Sequence, residues 1–464
     1  MPVDRLAAVA WYRRNRARSR ALFDLLDEDT YYSRPIALRH PIVFYEGHLP
    51  GFSFNTLIKK GLGRPSIDPR LENLFARGID PHETTVGAGE AGGAGRSDGW
   101  PSRDEVHAFA DEADRQVIDA LINGDIDQPG HPLLDRGEAV FTILEHEAMH
   151  QETLLYMWHR LPYEQKVRGH LSPPDLPPEG GSHGDTAAGP WLPASAGRTV
   201  SGATGPWLPP SGGRSISGGT ATIPAGTAML GADRGHVPFG WDNEFDAHAV
   251  HVPQFDVDVL PVTNAQFLDF VEHDGYTTRT LWDDEGWAWI QSEHVQQPAF
   301  WLPADAPRTG IDGWRWRAMF EPIPLPPDWP VYVSHAEASA YARWKGRRLM
   351  TEPEFHRAAE GSTTGHFDFA GFDPIPVGSH PPSAAGVYDL VGNGWEWTST
   401  VFAPFDGFVP MRSYPEYSAD FFDGRHYVMK GASPATAKEL VRPSFRNWFR
   451  ANYPYVYAKF RTVR

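Results

Sequence analysis

Pro and Gly dominate residues 171–222, and neither a regular helix nor a sheet ladder can run through such a stretch. The chain is therefore divided into a first unit, 1–170, and a second, 223–464, with a linker between them. At 464 residues it is too long for one ordinary core, so size alone calls for a division. Inside the linker, Gly189-Pro190-Trp191-Leu192-Pro193 recurs as Gly205-Pro206-Trp207-Leu208-Pro209. Two copies are too few for a solenoid, and the repeat reads as linker expansion without a catalytic part.

The two units differ in period. In the first, apolar residues recur at helical spacing over 3–27, Pro41–Leu57, 103–125 and 136–159, with a Gly-, Glu- and Ser-rich loop at 83–102. Four such helices predict a bundle. Arg5, Arg13, Arg14, Arg16, Arg18 and Arg20 crowd the first helix. They read as a solvated face, of which one or two could reach a site and hold an anionic or polyhydroxylated ligand. In the second unit short β-type segments alternate with turns, Trp becomes frequent, and Asn264–Val271 and His335–Lys345 are the clearest helices. This predicts an α+β domain with much irregular structure.

The chemistry concentrates in Leu144-Glu145-His146-Glu147-Ala148-Met149-His150-Gln151-Glu152. His146 and His150 are four apart, so a helix puts both imidazoles on one face. Ile143, Leu154 and Met157 continue that face as an apolar stripe. Imidazoles on a buried stripe are costly without a partner, and a shared metal ion supplies one. A third ligand is needed. His48, preceded by Gly47 in an apolar helix, is the candidate, ahead of His159 and His170. Three neutral imidazoles leave the ion its full charge and open coordination positions. The pattern His-Glu-x-x-His also fits a zinc hydrolase with Glu147 as general base, although no downstream His-x-x-Gly-x-x-His extension follows. A third reading is a non-catalytic binding protein with a structural bundle.

Composition narrows the classes. With 41% apolar and 22% charged residues the chain is globular, and a formal charge of −17 argues against a nucleic-acid binder. No apolar run reaches transmembrane length, and the arginine-rich start has no apolar stretch after it, so a cytoplasmic protein without membrane partners is expected. There is no cysteine, which removes disulfides, thiol nucleophiles and thiolate ligands.

The second unit carries its own signature: Pro261-Val262-Thr263-Asn264, Tyr341-Ala342-Arg343-Trp344, Arg348-Leu349-Met350-Thr351-Glu352, Gly392-Asn393-Gly394-Trp395-Glu396-Trp397-Thr398 and Phe445-Arg446-Asn447-Trp448-Phe449-Arg450. Most of these residues read as turn and core formers, while an indole such as Trp448 can also hold a quaternary ammonium. Together these motifs resemble a formylglycine-generating-enzyme-type (C-type-lectin-like) domain over about residues 223–464, and the first unit resembles a DinB-type bundle. The pairing is similar to the iron-dependent sulfoxide synthases of ergothioneine and ovothiol biosynthesis and to their selenium relative, selenoneine synthase.

That resemblance implies iron(II) on His48, His146 and His150, dioxygen as oxidant, hercynine (Nα-trimethylhistidine) as acceptor, and a thiol or selenosugar as donor. It implies that Asn447 and Trp448 hold hercynine, with Trp448 near the trimethylammonium. Formylglycine generation itself needs cysteines the chain lacks. Three positions depart from ergothioneine synthases: Met149 stands where some have Gln, Phe449 where they have a donor-binding Asp, and Val401–Phe405 lacks the hydroxyl of a tyrosine proton donor. Tyr45, Tyr453 and Tyr455 are alternative proton donors, and Arg13 or Arg16 is a candidate to hold the chalcogen donor. The stretches Phe44–Pro50 and Asn447–Tyr455 look most like the selenoneine branch.

Overall fold

The computed structural model describes residues 3–76, 99–169, 218–304 and 309–464. Most of the expected linker, its repeat, His170 and nearly all of the expected 83–102 loop lie outside these residues.

The first unit is the helical bundle its periodicity predicts. Helix α1 spans Arg5–Phe23 and starts where the Asp4 carboxylate accepts from the Ala7 amide. Helix α2 spans Ile42–Ser53 and is buried along its whole length. Pro50 removes one donor inside it, and the chain continues as a π-helix over Phe54–Gly61. A short α3, Pro69–Leu74, was not legible in the periodicity. Helix α4, Arg103–Asn123, opens on a Ser102–Glu105 capping box, and α5 spans Glu138–Trp158. The expected helices were each a few residues longer than observed, as fraying ends and caps make usual.

The second unit mixes short strands with helices. Besides α6 (Asn264–Glu272) and α8 (His335–Trp344), both expected, it holds α7 (Asp284–Ser292) and α9 (Glu352–Ala358). Strands β1 (Thr220–Ile223), β4 (Phe255–Asp258), β8 (Arg348–Leu349) and β13 (Thr462–Val463) form a sheet in the order β1-β4-β13-β8. Strands β2 (Gly226–Leu230) and β3 (His248–Val252) form a hairpin, and β5 (Trp301–Pro303), β6 (Trp314–Arg317) and β7 (Pro322–Pro324) a three-stranded sheet. The sheet that positions the site runs β11-β10-β9-β12, from β9 (Gly394–Val401), β10 (His426–Ala432), β11 (Asn447–Arg450) and β12 (Ala458–Lys459). Its register pairs Asn447 with Met429 and Trp448 with Val428, so both expected acceptor residues lie on an edge strand.

The two units share a core. One apolar cluster runs from Phe44, Leu154 and Trp158 in the bundle to Trp395, Phe445 and Tyr457 in the second unit. Buried polar ties reinforce the seam. Arg442 donates to Glu145 through Nη1 (2.8 Å) and Nη2 (2.9 Å) and to Glu244 through Nε (2.8 Å) and Nη2 (2.5 Å). Glu152 accepts from the Trp395 indole at 2.6 Å and from Thr436 at 2.8 Å. Among the described residues, no helix is long and apolar enough to cross a membrane.

Two histidines of the second unit, the buried His335 and the half-buried His356, set an acid limit. His335 stacks on Tyr427 at 3.7 Å, and its Nε2 lies 3.1 Å from the Thr398 carbonyl. Burial pushes His335 and His356 down to about 3. Unfolding frees both to take a proton near pH 6.5, so their contribution is complete above that pH and is lost as the pH falls toward 3. Urea unfolding at pH 7.5 and 5.5 should differ by about 1.4 kcal/mol for each histidine. His335→Gln should remove its share of that loss, and an unchanged pH slope would refute the assignment.

Candidate metal centre

Helices α2 and α5 bring His48, His146 and His150 together, with one ligand-capable atom of each lying within 4.8 Å of the others. His48 Nε2 is 3.3 Å from His146 Nε2. Two nitrogens that each bind one ion at about 2.1 Å, at a right or tetrahedral angle, stand about 3.0–3.4 Å apart, so this spacing is that of a ligand pair. His48 Nδ1 lies 2.7 Å from the Phe75 carbonyl. That carbonyl can only accept, so Nδ1 carries the proton and Nε2 keeps its lone pair for a metal. The Nδ1 atoms of His146 and His150 are buried without a hydrogen-bond partner. The donor set therefore fits a metal ion.

Local sequence explains the fit. A Cβ on Gly47 would lie 2.3 Å from the Phe75 ring, so glycine there lets Phe75 close over α2 and present its carbonyl to His48. The His146 ring stacks on Phe52 at 3.5 Å and the His48 ring on Phe44 at 5.0 Å, which fixes both planes. Burial lowers His48 to about 4 and holds His146 and His150 well below the usual imidazole range. Neighbouring histidines push His146 further down, and His48, Arg39 and His40 do the same to His150. All three are neutral near pH 7, the form a metal needs. His146 is 1% exposed and His48 fully buried, whereas Met149 and His150 are only half-buried and face the seam side of the cluster.

The second unit supplies an aromatic wall. Tyr414 approaches both His146 (5.9 Å between ring centroids) and Phe52 (5.2 Å). Tyr417 lies beside Tyr414 at 5.8 Å, stacks on Trp241 at 3.9 Å and donates its hydroxyl hydrogen bond to Met149 Sδ at 3.3 Å. Trp448 stands edge-on to Tyr417 at 5.2 Å and stacks on Phe402 at 4.2 Å. A continuous path of rings thus joins the histidines to Trp448. Asn447 Oδ1 accepts from the Trp448 amide at 2.9 Å, and its Nδ2 makes no hydrogen bond among the described residues. Sequence reasoning missed Tyr414 and Tyr417, which lie beyond the hydroxyl-free Val401–Phe405 stretch, and no local pattern marks them.

The other candidates fall in three places. Tyr45 is 5.9 Å from His150. Tyr453 Oη accepts from Arg39 Nε at 3.0 Å and stacks on Phe449 at 5.0 Å, and Tyr455 packs against Tyr453 at 5.2 Å, so these three form a flank of the site with Arg39. His159, the weaker ligand candidate, bonds instead with Tyr457 Oη (2.6 Å) and Asp373 (3.3 Å). The arginines need correction. Arg13 is exposed and makes no ion pair among the described residues. Arg16 is buried rather than solvated and donates to Asp114 (2.8 Å) and Glu147 (2.9 Å), so its guanidinium is spent joining α1 to α4 and α5. Glu147 Oε1 also accepts from Ser19 at 2.7 Å. The carboxylate a hydrolase would need as base is thus turned to α1, away from the histidine cluster.

The structure is a helical bundle with a three-histidine cluster that could hold a metal ion, walled by an irregular, Trp-rich α+β unit. The chain belongs to the sulfatase-modifying factor enzyme 1-like domain family, whose model matches residues 210–464, and a DinB superfamily model matches residues 12–154. It is 39% identical over 246 residues to a hercynine oxygenase of Mycolicibacterium thermoresistibile, covering 47% of this chain and 53% of that protein. It is 28% identical over 473 residues to ergothioneine biosynthesis protein 1 of Schizosaccharomyces pombe, covering 95% of this chain and 54% of that one. A mouse (Mus musculus) protein named inactive C-alpha-formylglycine-generating enzyme 2 is 32% identical over 227 residues, covering 39% of this chain and 68% of that protein. The chain spans about half the length of the first two relatives.

Proposed function

We propose that this protein uses iron(II) and dioxygen to join a selenol or thiol to the imidazole carbon of hercynine that lies between the two nitrogens, with a selenosugar as its preferred donor. The observation that carries the proposal is the three-histidine cluster facing the Tyr417–Trp448 wall, in a chain similar to a hercynine oxygenase and to ergothioneine biosynthesis protein 1. In this reading His48, His146 and His150 hold the ion, which would supply a redox-active Lewis acid with positions open to dioxygen and the chalcogen. Trp448 and Tyr417 offer aromatic surface to the trimethylammonium, and the Asn447 amide a donor to the acceptor's carboxylate. The imidazole C–H and the donor's chalcogen–H bonds break and the carbon–chalcogen bond forms. One oxygen atom of dioxygen leaves with the two hydrogens as water, and the other goes to the chalcogen. Tyr414 brings a phenol to the histidines, and it replaces Tyr45, Tyr453 and Tyr455 as the proton-handling residue of this proposal.

The preference for selenium rests on the donor side of the site. Phe449 packs between Tyr453 and Tyr156, leaving an aromatic surface where an acid would pair with an amino-acid donor. Met149 adds a soft, polarizable sulfur beside His150. Donor competition tests this. Iron-loaded protein is given hercynine and air with a selenosugar, γ-glutamylcysteine or cysteine, and mass spectrometry reads the product. The selenosugar should couple fastest, and faster coupling of either thiol would overturn the donor assignment while leaving the acceptor chemistry standing.

A further inference from the structure

Just beyond the end of α5 a group of cations collects with Arg317 of β6, away from the three-histidine cluster. Arg160 lies ten residues past His150 in the sequence, about 15 Å along the helix direction. Its Nη1 donates to the Ala299 carbonyl at 2.9 Å, and its guanidinium lies 5.1 Å from the centre of the Tyr455 ring. Lys166 is 9% exposed, and its Nζ sits 4.6 Å from the centre of the Tyr163 ring. That Nζ, the Arg317 Nε and the Tyr163 Oη are all buried without a hydrogen-bond partner.

These groups feel one another. Burial and then Arg317 push Lys166 down to about 8 and Arg160 down to about 10. Asp373 is a carboxylate within their reach, but His159 (3.3 Å), the Trp316 indole (2.8 Å) and the Met319 amide (3.2 Å) already bond it. Glu164 is exposed and forms no ion pair among the described residues. Unpaired donors in a desolvated cluster of like charge are costly, and a bound anion offsets both costs at once.

We propose that Arg160, Lys166, Arg317 and Tyr163 form a binding site for the carboxylate or phosphate group of a small molecule, distinct from the three-histidine cluster. The phenol offers one donor, the ammonium three and the guanidinium groups a planar fork, a set that suits a multi-oxygen anion rather than a halide.

Titration calorimetry on the full chain tests this, with inorganic phosphate in one series and malonate in another. One anion should bind saturably at one per chain, with phosphate or malonate preferred according to the source of the group. Lys166→Met and Arg317→Gln should each weaken it by about tenfold or more while keeping the wild-type circular dichroism. Arg13→Gln, on the exposed face of α1, should leave it unchanged, and so should His48→Ala. Absence of saturable binding by either anion would overturn the proposal. Binding lost in His48→Ala but kept in Lys166→Met would overturn it too, by placing the anion on the metal.

Discussion

Replacing His146 with Ala is expected to lower metal affinity by more than about a hundredfold and to abolish turnover, while the protein stays folded. The magnitude follows from the outer shell: losing even a group that merely orients a ligand costs about 10–100-fold in affinity, and losing the ligand itself costs more. Folding survives because the imidazole's Nδ1 bonds nothing and its ring contacts, with Phe52 face to face and with Tyr414 edge-on, are packing contacts, so its removal deletes packing and leaves only His48 Nε2 without its neighbour. Metal analysis after dialysis, alongside a thermal melt, checks both halves. Wild-type metal content in the variant would remove His146 from the site.

The second large effect lies at the seam. Arg442 is the cation between Glu145, 3% exposed, and Glu244, fully buried, and Glu145 directly precedes His146. Arg442→Met would leave two buried carboxylates facing each other with no cation between them, and only the neutral donors Ser444 Oγ and the Trp241 amide would still bond Glu244. Breaking a buried ion pair by removing one partner costs about 3–5 kcal/mol, far more than the pair adds over an apolar substitute. Urea unfolding should show a loss of that order. The triple variant Arg442→Met, Glu145→Gln, Glu244→Gln should recover most of it. A single variant within about 1 kcal/mol of wild type would mean that the network is solvated.

What the sequence made legible follows from how local each signal is. The pair His146 and His150 could be read because a helical period fixes which residues share a face, and α5 carries that period over its full length. His48 stood out as a histidine in an apolar helix, and Gly47 beside it turned out to admit the Phe75 ring. Tyr414 and Tyr417 could not be found this way. They lie in a turn-rich stretch between β9 and β10, and only tertiary packing carries them to Phe52 and Met149. The burial of Arg16 is hidden from the sequence for a similar reason. Its charge suggested solvent, but Asp114 and Glu147 wait for it on two other helices, and no local pattern reports a partner so far away in sequence. The short helices α3 and α9 escaped because six or seven residues hardly define a period.

In the proposed function the bundle would supply the metal ligands, with the His48 tautomer set by the Phe75 carbonyl and the His48 and His146 planes set by Phe44 and Phe52, and the second unit would supply the aromatic surface that an acceptor cation needs. The shared core and the Arg442 and Glu152 ties hold the two in one register, which the proposed reaction between two substrates on one ion would require.

The measurement that tests this account most directly is a product analysis with metal and oxygen varied. Protein loaded anaerobically with iron(II), and a parallel sample loaded with zinc, would each receive hercynine with a selenosugar, γ-glutamylcysteine or cysteine in separate reactions, with and without air. A hercynine–chalcogen adduct, bonded at the imidazole carbon, should form only with iron and only in air. An adduct formed equally with zinc or without oxygen, or no adduct from any chalcogen donor in the iron sample, would contradict it.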